Sequence, residues 1–222
     1  MQNLFNTPGE GGLQAQTNDN FELLKAWAGT TIAFAILQSQ GNVLALAFLT
    51  DLLISGVVCG LAFVLHELAH RIVARHYGAE AHFIANNGML LVSIAIAFAG
   101  LFFAAPGAVW HQGYLTKQQG GLIALAGPVT NLVLSLAFLI GLVALTVLPI
   151  NVPGTWLIEL CYVGFRLNAW IGLFNMIPAG PFDGAKVLSW SPLVFGITVA
   201  AGVALTFLLT DTALFSLLRS LP

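Results

Sequence analysis

Six times along this chain an apolar run approaches or exceeds the ~20 residues that an α-helix needs to cross the hydrocarbon core of a bilayer. The runs cover residues 21–37, 42–77, 88–105, 120–148, 156–177 and 192–209. Backbone polar groups inside hydrocarbon must be satisfied without water, so such runs end up as helices or closed barrels. These are continuous rather than alternating, which selects helices. The expected fold is therefore an all-α multi-pass membrane protein, with about five spanning helices and one ambiguous segment that would make a sixth if it crossed. Residues 42–77 are too long for one straight crossing, so their beginning is expected at the interface before Asp51. Charged residues make up only 7% of the 222, where soluble domains carry about 25%. That excludes a soluble domain, and seven Lys and Arg spread thinly exclude a phosphate-binding face, hence a nucleic-acid partner. The polar residues 1–20 lack the basic start and apolar core of a signal peptide and are expected to be a flexible tail. Residues 21–222 then form one membrane-embedded domain. Cys59 and Cys161 lie far apart in apolar runs and are expected to be packing residues.

Inside the second run stands His66-Glu67-Leu68-Ala69-His70. A helix turns about 100° per residue, so His66 and His70 share a face one turn apart and can close on one metal ion. Glu67 projects beside them, where it can take a proton from an attacking water; this is the HExxH arrangement of zinc peptidases. Ionisable residues in hydrocarbon are costly, which favours a functional reading over a hydrogen-bonded histidine pair with Glu67 matched to Arg71. Among candidates for a third ligand, His76 has metzincin spacing, but Val73 stands where that pattern has Gly, so the helix carries His76 off the face. It suits the helix end instead. Glu80 follows too closely to fold back, and Glu159 reads as a structural partner for Arg166 or another helix. Asp183 remains, in Asn175-Met176-Ile177-Pro178-Ala179-Gly180-Pro181-Phe182-Asp183-Gly184. Two prolines and two glycines break a helix there, and irregular backbone at membrane depth lines a cavity or is packed in protein.

HExxH in one span and NxxPxxPxDG in a later one, with Ala126-Gly127-Pro128-Val129-Thr130-Asn131 matching GPxxN between them, resemble the site-2 protease family of intramembrane zinc metalloproteases. The resemblance covers roughly residues 43–190. It implies one zinc per chain held by His66, His70 and Asp183, with Glu67 as general base. It also implies that Asn175 and Asn131 hold the substrate backbone or oxyanion; Asn131 can equally bond a carbonyl freed by the Pro128 kink. Some members carry PDZ or CBS domains; no segment here fits one, so a minimal catalytic core is expected. The partners implied are the transmembrane segments of substrate proteins and the surrounding bilayer.

The segment at residues 88–109 is expected to be re-entrant or a hairpin. His66/His70 and Asp183 both lie late in their spans, so an odd number of crossings must separate them, and residues 120–148 alone supply it. Without a crossing at 88–109, Lys25, Arg71, Arg75, Lys117 and Lys186 share one side and Arg219 takes the other, with Arg166 in mid-span. The positive-inside rule makes the richer side cytoplasmic. His70 would then lie about 10 Å inside that surface. Val92, Ile94 and Ile96 alternate with smaller residues, which suits a strand on the inbound arm, though an Ala-rich apolar run can equally be helix; Gly100 and Pro106-Gly107 offer turns. The competing reading, a non-catalytic transporter or scaffold binding ions at the polar cluster, gives Glu67 no task. Prenyl-protein proteases use ExxxD downstream, and Glu159 is followed by Val163 at that position.

Overall fold

The computed structural model describes residues 18–102, 107–148 and 155–220. Helix α1 spans Asp19–Gln38, started by the Asn18 carboxamide, which accepts the Asn20 N–H. Asp19 and Asn20, placed in the tail by the sequence reading, thus belong to α1. Asn is a preferred N-cap, and Asp19 and Glu22 put negative charge where the helix dipole favours it. Residues 1–17 of the expected tail lie outside the described residues.

Helix α2, Phe48–Cys59, a π turn at Gly60–Val64 and α3, Leu65–His76, form one unbroken 29-residue rod. The 36-residue run therefore becomes helical just before Asp51. A β-hairpin follows, with β1 at Glu80–Ala85 and β2 at Gly107–Gln112. Between its strands lies α4, Asn87–Ala97. Then come α5 at Lys117–Val147, α6 at Trp156–Phe174 and α7 at Asp183–Trp190. Helix α8, Pro192–Val203, runs on into a second π turn at Ala204–Leu208, and α9 is Asp211–Ser220. Among the described residues, three helices are long and apolar enough to cross a membrane: Phe48–His76, Lys117–Val147 and Trp156–Phe174. Asn87–Ala97 and Pro192–Leu208 are apolar but shorter.

Residues 92–96 are helical, which decides between the strand and the helix that the sequence allowed. Asn86 caps the start of α4 by accepting the Met89 N–H, and Gly100 ends the segment with φ +77. An apolar run that closes its own hydrogen bonds needs no partner strand; β1 and β2 find each other on either side of it. Their antiparallel register runs from Glu80↔Gln112 to Ala85↔Gly107, so the chain leaves the segment at the end where it entered. Pro106 lies outside the described residues.

Helix α5 is the central element and packs against α3, α6 and α7. Small residues allow that closeness: a Cβ on Gly164 of α6 would stand 2.6 Å from the Phe138 ring of α5. Phe34, Ile54, Val58, Val163, Leu167 and Ile171 fill the space where α1, α2 and α6 meet.

Polar contacts then fasten α1 to the rod and the hairpin. Asp19 Oδ2 lies 3.1 Å from Arg71 Nη1 and 3.7 Å from Arg75 Nη2, and Asp19 Oδ1 lies 3.1 Å from His82 Nδ1. The Glu22 carboxylate accepts the Ala85 N–H at 3.0 Å. Arg71 is thereby drawn to Asp19 instead of Glu67. Arg166, one of the two partners expected for Glu159, donates to the carbonyls of Thr206 and Leu209 at 3.2 Å each and lies 3.8 Å from Asp211. Carbonyls at the end of a helical rod have no partners of their own, and a guanidinium answers two of them at once.

Candidate metal centre

The two histidines of α3 are buried, 3% and 7% exposed, and their Nε2 atoms face each other at 3.0 Å. Asp183, the first residue of α7, brings Oδ2 to 3.3 Å from His66 Nε2 and 3.2 Å from His70 Nε2. It gets there because α6 stops at Phe174 and the chain doubles back. Pro178 and Pro181 interrupt the helix, and Gly180 takes φ +59. The Gly184 N–H donates to the Asn175 carbonyl at 2.8 Å, closing the turn. A Cβ on Gly184 would run into the Met176 backbone, so glycine is required where the loop closes.

The protonation pattern follows from the partners behind the rings. His70 Nδ1 lies 2.7 Å from the carbonyl of Ile123, which can only accept. His66 Nδ1 faces Asn131 Oδ1, and the Asn131 amide nitrogen is engaged elsewhere, donating to Ala62 O and Asn168 Oδ1. Both rings must therefore carry a proton on Nδ1, and in the neutral form that binds a metal the lone pair of each lies on Nε2. Two lone pairs and a carboxylate oxygen converge within 3.3 Å with no donor among them. A cation completes such a set, and two imidazoles with one carboxylate are ligands zinc accepts. Among the described residues, His66, His70 and Asp183 are the cluster able to hold a metal.

The cluster opens on a cavity of about 100 Å³ that Glu67, Asn175, Pro181, Lys186 and Gly107 also line. Glu67 is buried yet faces this space, as a base for a water in the cavity must. Asn175 is at the cavity wall, with its amide nitrogen donating to Ile171 O at 3.0 Å. Asn131 is fully buried behind His66, with both its carboxamide oxygen and nitrogen engaged there, and it does not line the cavity. The backbone carbonyl that the Asn131 amide meets is that of Ala62 in the π turn, not one freed by the Pro128 kink in α5. His76 ends α3 with its ring against Tyr77, and Glu80 opens β1; neither joins the cluster, nor does Glu159.

Three contributors escaped the sequence reading. Lys186 sits three residues after Asp183, one turn along α7, and that spacing was the available signal. Asn168 is a fully buried amide in an otherwise apolar span. Gly127 is the third: a Cβ there would come 2.5 Å from the Nε2 atoms of both His66 and His70. Gly127→Ala is expected to lower zinc affinity at least about 10-fold, the scale on which disturbing a ligand's support is felt. Gly120→Ala, where a Cβ meets nothing within 4 Å, should bind like wild type. Chelator competition on the purified proteins checks both, and equal affinities would show that α5 does not gauge the site.

No family model matches the chain, and no solved structure does. Among curated proteins, one designated zinc metalloprotease MJ0611, from Methanocaldococcus jannaschii, is 41% identical over 170 residues, covering 76% of this chain and 84% of its own length. Rip3 of Mycobacterium tuberculosis, also designated a zinc metalloprotease, is 32% identical over 134 residues. That match covers 60% of this chain but only 30% of Rip3. YwhC of Bacillus subtilis, of the same designation, is 28% identical over 141 residues and is matched over 64% of its length. At 41% identity across most of both chains, common ancestry with MJ0611 accounts for the likeness, and this chain belongs to the same zinc metalloprotease family.

Proposed function

We propose that the protein is an intramembrane zinc endopeptidase of the site-2 protease type. It hydrolyses peptide bonds within or near the transmembrane segments of other membrane proteins. The observation that carries this reading is the convergence of three acceptor atoms, beside a buried glutamate, on an apolar rod long enough to span a bilayer. The resident ion is one zinc per chain, on His66, His70 and Asp183.

Zinc, when bound, polarises the scissile carbonyl and brings the pKa of a water towards ~7. Glu67 takes the proton released as water attacks and returns it to the leaving amine. Asp183 and Glu67 each contribute one negative charge, which balances the two of the ion; neutrality matters where uncompensated charge costs several kcal/mol or more. Lys186 at the cavity wall leaves a surplus of positive charge for the oxyanion, and Asn175 offers its carboxamide to the oxyanion or the substrate backbone.

A helical substrate must unwind before its peptide bond can be attacked. The hairpin offers a strand edge for the unwound segment, and Gly107, where β2 begins, lines the cavity. The active site lies nearer the cytoplasmic side of the cell membrane, the side to which Lys25, Arg71, Arg75, Lys117 and Lys186 belong. In a test on detergent-purified protein with a panel of single-span peptides, cleavage is expected inside the apolar segment. A chelator should abolish it and one equivalent of zinc should restore it. Intact peptides throughout the panel, with zinc stoichiometrically bound, would overturn the proposal.

A further inference from the structure

We propose that Asn168 is a positioning residue which, through Asn131, fixes the tautomer of His66 and so makes its Nε2 available to the metal; this rests on the metal-centre reading above. A neutral imidazole offers one lone pair, and the proton on the other nitrogen decides which. His70 has a simple anchor, because the Ile123 carbonyl accepts and cannot donate. His66 has an ambiguous one. A carboxamide presents an oxygen or, turned by 180°, an amide nitrogen of nearly the same shape. With the nitrogen toward Nδ1, His66 would have to carry its proton on Nε2, and ligation there would be lost.

Two acceptors prevent that rotation. The Asn131 amide nitrogen donates to Ala62 O at 2.7 Å and to Asn168 Oδ1 at 3.0 Å. Turned over, the Asn131 oxygen would face two oxygens. Asn168 could relieve its part only by turning too, but its own amide nitrogen donates to the Gly164 carbonyl at 2.9 Å, one turn back on α6. Backbone carbonyls, which cannot reverse polarity, thus terminate the chain on α6 and in the π turn. The direction they impose passes from Asn168 to Asn131 to His66. His66 is 3% exposed and both asparagines 0%, so in the folded protein these side chains depend on one another for their hydrogen bonds. A π turn placed one turn before a ligand pair is itself a feature found at functional sites, and here it contains the Ala62 carbonyl.

The relay makes the two histidines unequal, and that inequality is the test. Full-length protein with ¹⁵N-labelled histidine, stripped of metal in detergent, reports each ring's tautomer through its imidazole nitrogen shifts. Wild type should show Nδ1–H at both His66 and His70. Asn168→Leu, or Asn168→Ala if the leucine does not fold, should shift His66 toward Nε2–H while His70 stays as it was. Zinc affinity by chelator competition should fall about 10- to 100-fold, the usual effect of losing a partner behind a ligand. Asn168→Asp should stay within about threefold of wild type. Burial keeps that acid neutral, so its carbonyl accepts from Asn131 while its hydroxyl donates to Gly164. An unchanged His66 tautomer in Asn168→Leu or Asn168→Ala, a shift of both histidines together, or an Asn168→Asp loss as large as that of leucine would each overturn the relay. Wild-type protein that binds no zinc would instead defeat the metal-centre reading, and the tautomer comparison would still judge the relay.

Discussion

Glu67→Gln protein is expected to keep its zinc and to lose cleavage by about 10²- to 10⁴-fold, the range that a positioned general acid–base contributes. The substitution preserves length and shape in a buried position, so the packing of α3 against α5 should survive. What changes is the capacity to accept a proton. The structure strengthens this expectation in one respect: Arg71, the natural partner one turn along the helix, is held by Asp19 at 3.1 Å. Glu67 is therefore not neutralised by its own helix, and it faces the cavity that the metal cluster opens on. Zinc content and initial rates on a single-span peptide, measured on the same preparation, separate the two effects. Cleavage at the wild-type rate would remove Glu67 from the mechanism. Joint loss of zinc and activity would instead make it a residue of the binding site.

The second large effect should come from Asp183→Ala. Without it the metal keeps two neutral imidazoles and loses the negative charge that offsets it in a poorly solvated site. Zinc affinity is expected to fall by more than the ~10–100-fold typical of losing a supporting partner. His76→Ala and Glu159→Ala should bind zinc as wild type does, because neither residue joins the cluster. Chelator titration of all three proteins decides the matter. Tight stoichiometric zinc in Asp183→Ala beside a loss in Glu159→Ala would transfer the third ligand to α6.

The elements that could be read from the chain are those whose cause is local. His66 and His70 share a face because four residues make about one helical turn, whatever surrounds them. The break at residues 175–184 follows from Pro178, Pro181 and the left-handed Gly180, which act on their own backbone. Long apolar runs announce long helices because satisfying backbone hydrogen bonds is a problem each segment solves by itself. What lay beyond the sequence were choices among partners. Arg71 could have met Glu67 but was claimed by Asp19, 52 residues away along the chain. Arg166 found carbonyls on the α8 rod instead of Glu159, and Asn131 turned to the His66 ring and Ala62 rather than to the cavity. The run around Val92–Ile96 suited a strand or a helix, and a helix closes its hydrogen bonds within the segment without a neighbour. Gly127 shows the same dependence most plainly. In the sequence it is one small residue beside a proline, and its need to lack a side chain arises only when α5 lies against the two histidines. Local geometry sets which residues can act together on one helix; which helices touch decides what each of those residues is for.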